Sequence, residues 1–143
     1  MKKFFGQGYG KIVILELIRG DLLIESITEA LAEEGIQNAV VISAVGSLQK
    51  VVYHRPTDMS AAAVDEIVEI EEPFEISSLS GSVIDGQAHF HFSASSPNRD
   101  CGGHLEPGTE VLYLFEVVLA EITGLNLERR LTPEKVKKLF PKE

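Results

Sequence analysis

Between "SSLSGSVI" and "QAHFHFSAS" stands the dipeptide Asp85-Gly86, and these flanks limit the fold more than any other feature of the chain. Asp-Gly favours the positive φ angles of tight hairpin turns. The run behind it alternates cleanly as His89, Phe90, His91, Phe92. Side chains two apart on a strand share a face. The phenylalanines therefore point into apolar packing, and the two histidines project together from the other side. This is an antiparallel hairpin with paired imidazoles on one surface.

The rest of the chain reads mostly as strands. "GKIVILELIRG" alternates around β-branched residues and ends in glycine, as a strand does. "GDLLIESITEALAEEGI" reads as a helix, with Leu22, Leu23, Ile27, Ala30 and Leu31 at helical spacing. Asp21 or Gly20 is the candidate cap, and Gly35 the terminating glycine. "IQNAVVISAVGSL" is almost wholly apolar and reads as a central strand covered on both faces, broken at Gly46 and Ser47 before a further strand, "QKVVYHR". "PTDMSAAAVDE" is a loop. "EIVEIEEPFEISSLSGSVI" gives one or two strands interrupted near Pro73. "SPNRDCGG" is a loop by its Pro, Asn, Asp and Gly content. "TEVLYLFEVVLAEIT" is long enough to need a bend or bulge. "NLERR" reads as a short edge strand, and "TPEKVKKLF" as a closing helix with Thr132 as N-cap and Pro133 at the first helical position.

One early helix followed by many strands predicts an α/β fold of the α+β kind, a mixed, mostly antiparallel central sheet flanked by helices. At 143 residues the chain fits one domain, 1–143, with a core over about 8–130 and a C-terminal helix over about 133–140. The glycines of "GQGYG" follow no strand and precede no Lys-Ser/Thr, which argues against a nucleotide loop. The longest apolar runs are too short to span a bilayer, and no secretion signal is evident. A single cysteine, Cys101, excludes an internal disulfide framework and fits a reducing, cytoplasmic location.

Three of the four histidines lie within 16 residues. His89 and His91 stand roughly 7 Å apart at the base, close enough to converge on one ion. His104, behind Gly102 and Gly103, can complete a tripod if its loop folds back, leaving one position open, as in catalytic zinc sites. Asp100 and Cys101 are reserve ligands. The plainer reading is three unrelated side chains on a sheet. His54, alone in "VVYHRP", reads as non-functional. Cys101 reads more simply as a small buried residue than as a reactive thiol. Glu75 reads as an exposed or ion-paired carboxylate, with a proton acceptor beside the histidines as the sharper alternative.

"AVVISAVGSL", "FEISSLSGSV", "HFHFSAS", "GGHLEPGTEV" and "EVVLAEIT" occur in that order and spacing. Together they resemble the PPC domain, the plants and prokaryotes conserved domain, over roughly residues 8 to 130. The resemblance implies a largely antiparallel sheet flanked by helices, a homotrimer, and a metal, zinc, at the histidines of the His-x-His and Gly-Gly-His blocks. Carried over, those are His89, His91 and His104. In the plant members DNA contact belongs to an AT-hook of the Arg-Gly-Arg-Pro type. No such segment occurs here, since "ERRL" lacks the glycine and proline.

Charge bears on the same point. With 13 basic against 22 acidic residues the net charge is −9, the wrong sign for neutralising phosphates, so nucleic acid is not an expected partner of the isolated chain. "VLYLFEVVLA" offers more apolar surface than one core needs, which fits self-association. Three functions follow: a trimeric zinc-binding module with a small-molecule ligand and no membrane partner, a zinc-dependent hydrolase or lyase with Glu75 or Asp100 as base, and a DNA-associated regulator. Whether any reaction is catalysed is left open by the sequence.

Overall fold

The computed structural model describes residues 1–143. Strand β1 (Gly8–Ile18) leads to helix α1 (Leu23–Glu33). Then come β2 (Ala39–Pro56), β3 (Asp65–Ile70), β4 (Phe74–Ile84), β5 (Gln87–Ser95), β6 (Asp100–Leu105), β7 (Glu110–Thr123), β8 (Leu127–Leu131) and β9 (Lys137–Pro141). Seven strands form one sheet in the order β1-β7-β2-β4-β5-β6, with β3 also on β2. Strand β6 pairs β2 again through Tyr53↔Leu105 and His54↔His104, so β2, β4, β5 and β6 close a hydrogen-bonded ring. Every register is antiparallel, and a single helix flanks the sheet where helices in the plural were expected.

The turn between β4 and β5 is the one the dipeptide predicts. Asp85 and Gly86 take φ 52° and 70°, both left-handed, as a type I′ hairpin requires. Phe90 and Phe92 are buried, whereas His91 is exposed and His89 half-buried. Helix α1 buries Leu23, Ile27 and Leu31 at i, i+4 and i+8, one apolar stripe laid on the core. Gly35 ends it at φ 69°. Its N-cap is Leu22, with no side-chain cap, because Asp21 instead accepts a hydrogen bond from the Ile18 N–H at 2.9 Å.

Four expectations are corrected. "AVVISAVGSL" and "QKVVYHR" form one strand, β2. Gly46 marks a register shift against β7, where a Cβ would stand 2.4 Å from the Leu114 carbonyl oxygen. Its outer face is not covered, since Ile42 and Val45 are exposed. The supposed loop over "DCGG" is strand β6, squeezed between two neighbours. A Cβ on Gly102 would meet the Phe92 carbonyl oxygen at 2.6 Å, and one on Gly103 the His54 carbonyl oxygen at 2.7 Å.

The C-terminal helix over 133–140 does not form. Thr132 and Pro133 open a turn instead: the Lys135 N–H donates to Thr132 O, Thr132 N–H donates to Val136 O, and Lys135 takes φ 59°. A β-turn followed by a left-handed residue is the three-residue hairpin loop, and Pro suits its second position as well as the first turn of a helix. A helix this short has few hydrogen bonds to repay its costly nucleus. The hairpin pairs all five residues of β9 with β8.

Candidate metal centre

Strands β5, β6 and β2 run side by side, and their registers place His91 opposite His104 and His104 opposite His54. His89 lies two residues along β5, opposite Ser82. The rings meet around His104: centroids stand 4.1 Å from His54, 4.8 Å from His89 and 5.3 Å from His91. The sequence-predicted tripod therefore assembles, with His104 delivered on a strand rung and not by a loop. The narrow backbone of Gly102 and Gly103 lets β6 slip between β2 and β5.

The corner after His104 is pinned from two sides. The Thr109 hydroxyl accepts from the Val52 N–H at 3.0 Å and donates to the Val52 carbonyl at 3.2 Å. The Gly108 N–H donates to Glu25 Oε1 at 2.9 Å. These bonds fix the backbone of the corner that follows His104.

Ring nitrogens of His89, His91 and His104 all lie within 4.8 Å of one another, and the Nε2 atoms of His89 and His91 stand 3.3 Å apart. Two nitrogens each ~2.0–2.1 Å from one tetrahedral ion such as zinc would be ~3.3 Å apart, so the His89–His91 pair has the spacing of two ligands to one ion. Their electrostatics point the same way. Burial first, then His54, His89, His91 and Arg129, push His104 down to about 4. Burial first, then Arg129, His91 and His54, lower His89 as well. Neutral imidazoles with free lone pairs are what a metal needs at neutral pH.

Other expected residues fall elsewhere. Glu75 pairs with Ser95 at the far end of β4 and is exposed. Asp100, opposite that same Ser95, is exposed, and Cys101 packs on the core with its thiol pushed up by burial. Neither Glu75, Asp100 nor Cys101 joins a cluster able to hold an ion.

His54 is not alone. It stacks on His104, contacts Glu106 Oε1 through Nδ1 at 2.5 Å, and lies 4.0 Å from Asp65 Oδ2 through Nε2. His54, His104 and Glu106 make a second group with metal-ligand geometry. Glu106 had a signal in the sequence, its place two residues after His104 on the same alternating face. Nothing local marks His54, which meets His104 from 50 positions away along the chain. Arg129, whose charge helps lower both shifted imidazoles, is equally silent in the sequence.

The family model of the Plants and Prokaryotes Conserved (PCC) domain matches residues 5–123. The chain belongs to this family. Among solved PCC-like structures, the metal-containing protein from Archaeoglobus fulgidus superposes with a TM-score of 0.79 at 30% identity, covering 94% of this chain and 95% of that one. The plant- and prokaryote-conserved protein of Pyrococcus horikoshii reaches a TM-score of 0.80 at 23% identity over 100% and 99% of the two chains, which speaks to fold alone. The bifunctional protein GlmU of Synechococcus sp. strain JA-3-3Ab is 30% identical over 124 residues, 86% of this chain. This PCC chain spans only 19% of that relative's length. No helix of the PCC chain is long and apolar enough to cross a membrane.

Proposed function

We propose that this PCC domain is a self-associating metal-binding module, holding zinc through His89, His91 and His104 and leaving one coordination position for a small ligand. The observation that carries the reading is the meeting of three imidazoles with ligand atoms within 4.8 Å of one another. The metal-containing Archaeoglobus relative supports it. Zinc suits an all-imidazole donor set that leaves an open position. The cavity beside the histidines, about 600 Å³, is of small-molecule size.

Trimeric assembly has support in the outer face of β1, β2 and β7. Ile12, Ile14, Ile18, Ile42 and Val45 are all exposed there, around the facing pair Glu16 and Glu116. A cytoplasmic setting accords with the lone, unpaired Cys101.

Elemental analysis of protein purified without a histidine tag tests the reading. About one zinc per chain is expected; less than ~0.2, with no rebinding after chelation, overturns it. A second reading, a zinc-dependent hydrolase or lyase, draws on Glu106, a carboxylate grouped with His54 and His104, in place of Glu75 or Asp100. When bound, zinc would lower the pKa of its water towards ~7. Here Glu106 would accept that proton while His54 holds the carboxylate in place. Turnover of an ester, phosphate or amide panel, lost in Glu106→Gln, would favour it. The DNA-associated reading has the net charge of −9 against it, and a gel-shift titration at low salt should show no complex.

A further inference from the structure

The PCC match ends at residue 123, and the β8–β9 ribbon lies beyond it. That ribbon brings Arg129, Lys135 and Lys137 to the wall of the cavity that His89, His104 and Glu106 also line. Six of the 13 Lys and Arg residues have no carboxylate within ion-pair distance, and these are three of the six. Their immediate neighbours Arg130 and Lys138 are tied to Glu128 and Glu134. The register explains the division: Arg130 faces Lys138 across the ribbon on one side, and Arg129 and Lys137 belong to the other. In a chain with 22 acidic residues, three unpaired cations in one cavity are not a by-product of excess base.

Arg129 is the best placed. Its Nη2 donates to Ser82 Oγ at 3.2 Å, on the rung opposite His89. Its Nε is buried and has no acceptor, a costly state for a guanidinium donor unless a ligand completes it. Lys135, at the left-handed position of the hairpin loop (φ 59°), also lines the cavity. The same cavity also carries Asp65 and Glu106, both engaged with His54.

We propose that Arg129, Lys135 and Lys137 form an oxyanion subsite that holds the carboxylate or phosphate head of a small molecule, with the rest of that molecule directed at the histidine centre. The second half of this statement rests on the metal-binding reading; the oxyanion subsite itself needs only the ribbon. A guanidinium fork suits a two-oxygen head group, and the two ammonium groups add charge without fixed geometry.

Isothermal titration of the full chain with malonate and with inorganic phosphate, in zinc-loaded and chelated protein at low ionic strength, tests it. At least one probe should bind with Kd below ~10 mM, and which one binds more tightly decides between carboxylate and phosphate. Arg129→Gln should weaken that binding about tenfold and Lys137→Gln about threefold. Arg19→Gln makes the same charge change outside the cavity and should leave it unaltered. Lys137 is exposed, so its variant keeps the test intact if Arg129→Gln melts early. The proposal is overturned if neither probe binds, or if the ribbon variants behave like Arg19→Gln. A chain that takes up no zinc but loses anion binding in Arg129→Gln sinks the metal reading and keeps the subsite; a zinc-binding chain indifferent to Arg129 does the reverse.

Discussion

Acidifying the metal-free protein probes the histidine cluster directly. His104 is held at about 4, first by burial and then by the three other rings and Arg129, against ~6.5 for a free imidazole. Below pH ~6.5 the unfolded chain takes a proton at this position that the folded chain refuses until about 4. The folded state binds fewer protons, so its stability is full above ~6.5 and is lost as pH falls towards about 4. At pH 5 the two titration curves differ by ~2 kcal/mol at full strength. His104 is only partly buried, and solvent screening reduces that to ~1 kcal/mol. For a chain of 143 residues this corresponds to a Tm lowered by ~2–4 °C. Thermal melts of chelated protein at pH 7 and pH 5, for wild type and His104→Gln, isolate the effect, because every other titrating group is common to both. The wild type should lose ~2–4 °C more than the variant on acidification. Equal losses would refute the reasoning.

Three further outcomes follow from the fold. His89→Ala and His104→Ala should each abolish zinc uptake while light scattering still reports the wild-type oligomer, because the proposed assembly is built by the sheet and not by the ion; a monomeric variant would contradict this. Ile14→Glu places a charge on the exposed face of β1 and should yield monomers by light scattering, and an oligomer of unchanged mass would remove that face from the interface. Gly103→Ala sets a Cβ 2.7 Å from the His54 carbonyl oxygen; urea unfolding should show a loss of ~1–3 kcal/mol and titration a weaker hold on zinc.

Much of the local structure could be read along the chain because it follows from local periodicity. The Asp85-Gly86 turn, the inward phenylalanines and the outward His89 and His91 all express a period of two that neighbouring residues enforce on each other. The apolar stripe of α1 likewise expresses a period of 3.6. Where two conformations satisfy the same local signals, periodicity alone does not separate them. Thr132-Pro133 suits a helix start and a hairpin turn equally, and only the partnership of β9 with β8 separates them. Gly102 and Gly103 looked like a hinge, yet their lack of side chains serves the close approach of two neighbouring strands.

The amino-acid sequence alone determined the paired histidines of β5, the buried ring between them and the acidic balance that disfavours phosphate backbones. Only the tertiary structure decided that His104 stands at the hub of four imidazoles, that His54 with Glu106 flanks it, and that a cationic ribbon walls the cavity. The reason is register. Which residues face one another across β2, β5 and β6 depends on how the whole ring of strands closes, and a slip of one residue would turn each histidine to the opposite face.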